Sequence, residues 1–217
     1  MSLFDSATRK RIPYQGALLG ITALLASVTL AFAYLQTGPL IEQQAAADLS
    51  ASLKAVIPGI AYDNDLLGDQ VVIAGGVGST KTIVYRARRQ GEVVAVVYQV
   101  IGKGYAGEIT AVMGLDRVGH ITAVRVVSHK ETPGLGDKIE AAKSSWINSF
   151  TGKGLDTLDE QGWHVRKDGG EFDQFSGATI TPRALIAAIK SGLDLYAAHR
   201  EEIFSPTAIQ STKESSQ

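Results

Sequence analysis

The uncharged run from Gly16 to Leu35 (Gly-Ala-Leu-Leu-Gly-Ile-Thr-Ala-Leu-Leu-Ala-Ser-Val-Thr-Leu-Ala-Phe-Ala-Tyr-Leu) constrains this chain more than any other feature. About twenty helical residues at ~1.5 Å each reach roughly 30 Å, the thickness of a bilayer core. The basic cluster Arg9-Lys10-Arg11 precedes the run. From Gln36 to Leu53 there is no Lys or Arg, while Glu42 and Asp48 are present. The positive-inside rule then keeps the N-terminus in the cytoplasm and exports everything after Leu35. A cleaved signal peptide is the rival reading, since Ala31-Phe32-Ala33 has the small-x-small form of a cleavage site. Against it, the run exceeds the usual ~7–15-residue apolar stretch of a signal and continues past that site. Gly16 and Gly20 form a Gly-x-x-x-Gly pair through which another membrane helix can approach closely, although glycine is common in membrane helices generally.

The expected organisation is a cytoplasmic tail (1–15), a transmembrane helix (16–35), a juxtamembrane helix or linker (36–58), a folded domain (59–204) and a disordered tail (205–217). Leu40–Val56 are good helix formers that Pro58-Gly59 stops. The tail is rich in Ser and Thr and has no apolar period. With 217 residues, 45% of them apolar, the composition suits one anchor and one compact domain. A net charge of −1 carries no polybasic signature, so nucleic acid is not an expected partner. The chain has no cysteine, which excludes disulfides, thiolate zinc sites and cysteine-ligated iron–sulfur clusters. A redox group here must be organic or held by other residues.

Within the domain the pattern predicts a meander of strands. Thr82–Arg89 turns at Gln90-Gly91 into Glu92–Ile101; Gly107–Gly114 and His120–Ser128 continue it, with Asp116-Arg117-Val118-Gly119 as a turn. The glycine-rich Val71–Thr82 stretch fails as a phosphate loop, because Thr80 stands where the Gly before the Lys is required. It reads as a hairpin turn. Gly102–Gly107 reads as a connection. Ile139, Ala142, Trp146 and Phe150 predict an amphipathic helix over about Asp137–Ser149, and Trp163–Arg166 a short strand. The four histidines (120, 129, 164, 199) have no metal spacing, and His129 with Glu131 falls short of the three or four ligands zinc takes. No Ser/His/Asp order stands out, so no catalytic residue is assigned.

The stretch Asp173-Gln174-Phe175-Ser176-Gly177-Ala178-Thr179 precedes an apolar helical face, Leu185, Ile189, Gly192, Leu193 and Tyr196. Thr181 is the expected N-cap and Pro182 the first helical residue. Thr179 thus sits on a tight turn ahead of a helix start, where unpaired N–H groups and the helix dipole favour an anion such as phosphate. An ordinary capped turn would look the same.

Asp-x-x-Ser-Gly-Ala-Thr is similar to the acceptor motif of bacterial flavin transferases, which join the FMN phosphate to the final Thr hydroxyl. The upstream stretch His129-Lys130-Glu131-Thr132-Pro133-Gly134-Leu135-Gly136-Asp137-Lys138-Ile139-Glu140 is similar to a second motif of the same family, and Lys167–Phe175 leads into the first. With the anchor, these resemble the G subunit of the Rnf (Rsx) ion-translocating electron transport complex, the likeness being strongest from Gly102 to Ala188. The resemblance implies an α+β, FMN-binding domain with a mainly antiparallel sheet and flanking helices, behind one transmembrane helix in a bacterial inner membrane. It implies FMN linked by a phosphoester to Thr179, with Asp173, Ser176, Gly177 and Ala178 around the attachment. It implies a membrane electron carrier between ferredoxin and a nicotinamide nucleotide, rather than a stand-alone catalyst. Expected partners are the other Rnf subunits and, during maturation, a flavin transferase. The Glu131–Gly136 loop (Glu131, Thr132, Gly134, Leu135) is expected against the flavin ring. There Glu131 or Thr132 would bond the ring edge, or merely cap the Asp137 helix. Two alternatives stay open: the FMN-carrying C subunit of the sodium-translocating NADH:quinone reductase, and an unmodified anchored scaffold.

Overall fold

The structure is a computed structural model describing residues 6–75 and 81–205. The chain divides into two units, residues 1–48 and 49–217.

The first unit is the N-terminal part of α1 (Ser6–Ala55). Within it Gln15–Thr37 is long and apolar enough to cross a membrane. Leu19, Leu30, Phe32 and Leu35 stand exposed along it, a surface that lipid accepts and water does not. Its threonines bond backward into the helix: Thr22, Thr29 and Thr37 donate to the carbonyls of Leu19, Leu25 and Ala33. That satisfies their hydroxyls without a partner elsewhere. The Leu40–Val56 stretch expected to be helical is so through Ala55. Pro39 removes one N–H donor, but strong helix formers come after it, and the helix stops only at the Pro58-Gly59 turn, with Gly59 at φ +75°.

In the second unit five strands form an antiparallel meander in chain order, β1 (Gln70–Ala74), β2 (Lys81–Arg89), β3 (Glu92–Lys103), β4 (Glu108–Asp116) and β5 (Ile121–Ser128). β1 and β2 pair from Ala74 with Lys81 outward, as the hairpin reading expects; its tip, residues 76–80, lies outside the described residues. The β2–β3 turn is a two-residue loop with φ of +53° at Gln90 and +84° at Gly91. These positive values match the right-handed twist of the flanking strands. The central strands read as near-continuous apolar runs because both sheet faces are covered. On one face Val96, Tyr98, Val100 and Met113 pack with Leu185, Ile189 and Leu193 of α2 (Ile180–Ala198). Each such aliphatic side chain, fully buried, contributes about 1.5–3 kcal/mol. On the other face Ala95, Val97, Val112 and Ala123 meet Leu53, Val56 and Ile57 at the end of α1.

Glycines let both layers approach. A Cβ at Gly102 would lie 2.8 Å from the Ala184 carbonyl oxygen, and one at Gly114 would overlap that of Val56 outright. A short α3 (Arg200–Phe204) comes after α2 and is tied to the sheet through Arg86. The expected tail from 206 onward lies outside the described residues.

Two expectations need correction. The helix over Asp137–Ser149 is absent: Asp137–Ile139 and Ser145–Phe150 are separate 3-10 turns. Glu140 is extended (ψ 132°), and Ser144 is extended and caps the second turn by accepting from the Trp146 N–H. Ile139, Trp146 and Phe150 are buried as the pattern suggests, but Ala142 is exposed and Ile147 takes its place inside. Trp163–Arg166 forms no strand, only a single bridge from Val165 to Phe172.

Candidate functional site

Phe175–Ala178 is a tight turn closed by the Ala178 N–H donating to the Phe175 carbonyl at 3.3 Å. Its third residue, Gly177, has φ +83°, the left-handed value a type II turn requires there. Trp146 holds the turn from below: its Nε1–H donates to the Asp173 carbonyl at 2.8 Å, and its ring meets Phe175 edge-on at 4.9 Å.

Thr179 comes next, exposed, with its side chain capping nothing. The expected cap is therefore displaced. α2 begins at Ile180, and Thr181 and Pro182 are buried inside its first turn. Pro182 still costs nothing there, since the first-turn N–H groups lack helical acceptors anyway.

A cavity of about 370 Å³ opens at this point, within the ~300–1,000 Å³ typical of small-molecule clefts. Three segments wall it. The start of α2 contributes Gly177 through Thr181. The loop after β5 contributes Glu131, Thr132, Leu135 and Gly136, folded back as the Leu135 and Gly136 N–H groups both donate to the Thr132 carbonyl at 3.1 Å. The β3–β4 connection contributes Tyr105.

Of the residues singled out in the sequence, the fold brings Thr179, Gly177, Ala178, Glu131, Thr132 and Leu135 to one cavity. Ser176, Asp173 and Gly134 lie beside it in the chain and do not line it. Asp173 pairs with Arg166 at 2.9 Å, and Gly134 sits in the loop's turn with φ +78°. Gly136 lines the cavity as part of the expected loop; sequence reasoning missed Tyr105 and Ile180, and took Thr181 only for a helix cap. The available signal was an aromatic residue inside the glycine-rich 102–107 connection; Tyr105 is 72% exposed.

Glu131 turns its two carboxyl oxygens to α2 and to the β3–β4 connection rather than to the turn at Asp137. It is buried and accepts from the Thr181 hydroxyl and from the Ala106 N–H. The Asp137 carboxyl is instead held below its usual range by Lys143 and by the Gly134 backbone.

An ordered ion pair lies beside Thr179. Arg183, one turn along α2, donates from Nη1 to the Thr179 carbonyl at 3.1 Å. Asp168 fixes the guanidinium with two bonds, at 2.7 and 3.0 Å. The Arg183 hydrogen bond keeps the Asp168 carboxyl below its ordinary value, and Asp168 raises Arg183 in turn.

These residues fit a flavin phosphate. The open start of a long helix favours an anion at Thr179, while Tyr105 and Leu135 offer exposed apolar surface to a planar ring. Among the described residues no group of three or more His, Cys, Asp or Glu could hold a metal ion.

Residues 104–194 match the family model described as FMN-binding domain. The chain is 45% identical over 197 residues to the G subunit of the ion-translocating oxidoreductase complex of Cereibacter sphaeroides, covering 90% of this chain and 89% of that protein. It is 39% identical over 204 residues to the subunit of the same name from Shewanella piezotolerans, covering 92% and 96%. Among solved structures, the C subunit of the Na(+)-translocating NADH-quinone reductase of Parabacteroides distasonis shares the fold. The TM-score is 0.54 at 17% identity, over 76% of this chain and 96% of that one.

Proposed function

The chain belongs to the family of G subunits of ion-translocating oxidoreductase complexes, and from that premise we propose that it is the FMN-carrying electron-transfer subunit of such a complex, with the flavin phosphate esterified to Thr179. The observation that carries the attachment is Thr179 itself, exposed at a cavity mouth, at the start of α2, with a side chain that caps nothing. A transferase and its metal supply the activation that a free threonine lacks. When bound, the flavin relays electrons one at a time; the chain's share is to fix the ring and tune it. The α2 start, with Arg183 beside it, would hold the phosphate end, and Tyr105, Leu135 and Thr132 would offer the ring its surface. The wider complex passes electrons between ferredoxin and a nicotinamide nucleotide and couples them to ion transport.

The Gln15–Thr37 helix anchors the protein in the inner membrane, N-terminus inside and the domain on the outer face. Reporter fusions at Gln217 that are active only in the cytoplasm would overturn that orientation.

The test of the function is the protein's intact mass and in-gel flavin fluorescence after co-expression with a flavin transferase. The expected gain is one FMN less one water. No gain supports the unmodified scaffold. Co-purifying subunits of a sodium-translocating quinone reductase would support the other alternative, for which the shared fold alone speaks.

A further inference from the structure

We propose that Glu131 is a positioning residue, a buried clasp that ties the first turn of α2 to the two opposite cavity walls and so keeps Thr179 in register with them. This deepens the reading of Thr179 as the attachment point and rests on it.

Glu131 is 5% exposed and Thr181 is fully buried. One carboxyl oxygen accepts from the Thr181 hydroxyl, and the other accepts from the Ala106 N–H at 3.0 Å. The residue is also held by its main chain, since its N–H donates to His129 Nδ1 at 3.1 Å. With Nδ1 accepting, the His129 ring proton resides on Nε2, which donates to Glu140 at 2.9 Å. A single side chain thus joins the 104–107 connection, the 131–136 loop and α2, the three segments that wall the cavity.

The surroundings are cut to fit it. A Cβ at Gly104 would overlap one carboxyl oxygen, and a Cβ at Gly136 would lie 2.9 Å from the other and 3.0 Å from the Thr181 hydroxyl. Both loops reach the carboxyl only because they present glycine there. Burying a carboxyl in place of an aliphatic side chain costs free energy unless its oxygens are bonded. Here both are bonded, each to a different wall. Thr181 and Thr179 flank Ile180 on one helical turn, so whatever fixes Thr181 fixes the attachment point.

The test uses the full chain in detergent, first without flavin. Thr181→Val removes the hydroxyl and keeps the shape; Thr181→Ser restores the hydroxyl; Glu131→Gln keeps one acceptor oxygen in place of two. Hydrogen–deuterium exchange of the segments around 104–107 and 175–182 reads the clasp directly. The expected result for Thr181→Val is about tenfold or more faster exchange at 175–182, with a matching fall in the rate of flavin attachment. The visible circular dichroism of the attached flavin should weaken as well. Thr181→Ser should stay near wild type, and Glu131→Gln should speed exchange in at least one of the two segments.

Wild-type exchange and attachment in Thr181→Val would overturn the proposal. So would a Thr181→Ser variant as impaired as Thr181→Val, since packing and not the hydroxyl would then be responsible. If Thr181→Val fails to fold, Glu131→Gln decides alone, and unchanged exchange in both segments overturns the clasp. Should the wild-type protein take no flavin at Thr179, the attachment reading fails, and the exchange measurements on unloaded protein still judge the clasp.

Discussion

Replacing Thr179 by Ala separates chemistry from stability. Thr179 is exposed, its φ and ψ of −78° and −25° are ones alanine adopts freely, and its side chain makes no cap bond. The substitution leaves no buried group unpaired and no cavity behind, so the stability change should lie within about 0.5 kcal/mol. For a folded unit of this size that is a melting shift of no more than about 2 °C. Covalent flavin, by contrast, should vanish entirely. The neighbouring hydroxyls cannot replace it on equal terms. Thr181 is fully buried and donates to Glu131, so a transferase would have to unwind the first turn of α2 to reach it. Ser176 is exposed but sits within the Phe175–Ala178 turn and does not line the cavity, so Ser176→Ala should keep its flavin. The assay is intact mass and in-gel fluorescence of both variants after co-expression with a flavin transferase, beside thermal melts. Flavin surviving denaturing electrophoresis on Thr179→Ala would refute the attachment. A melting point lowered by more than about 5 °C would show that this hydroxyl has a structural role after all.

Gly177→Ala and Gly134→Ala both place a side chain in the left-handed region, at φ +83° and +78°, and each should cost about 1 kcal/mol in thermal melts. Only at Gly177 does the added Cβ press on Leu135, at 3.1 Å, so only that variant should slow flavin attachment; equal yields would count against Leu135 as a cavity wall. Asp69→Ala strips a carboxylate from the fully buried Arg86 and from Arg88, while the Ile203 and Ser205 carbonyls still accept from Arg86, and should lower stability by about 1.5–3 kcal/mol in urea titration; a loss under about 0.5 kcal/mol would show that the pair contributes little. His120 is raised above its ordinary value first by its hydrogen bond to Asp156, then by the Asp156 and Asp116 charges, against partial burial. A raised histidine stabilises below its unfolded value, and the gain is lost as pH rises through the folded one. Wild type should therefore exceed Asp156→Asn in melting temperature most near pH ~6 and converge with it by about pH 8.5; a gap constant across that window would refute the coupling.

Some of this protein is legible without coordinates because the information is local. A membrane-length apolar run, the apolar stretches of β2 to β5 between their turns, the Gln90-Gly91 turn and the apolar face of α2 each arise from pattern within a few residues. So does the exposed threonine ahead of α2, though its exact place relative to the helix start does not. Tertiary structure decided the places where long-range contacts override local preference. The helical spacing of Ile139, Trp146 and Phe150 is satisfied by two 3-10 turns, because Ser144 caps the second turn and Ile147 fills the core against the sheet. Thr181 has the chemistry of a helix cap, yet its hydroxyl goes to Glu131, fifty residues away. Tyr105 looks like part of a connection until the sheet register sets that connection beside α2. Local pattern carries the period of an element and its approximate ends; it carries no distance between residues fifty positions apart, and a cavity is made of such distances.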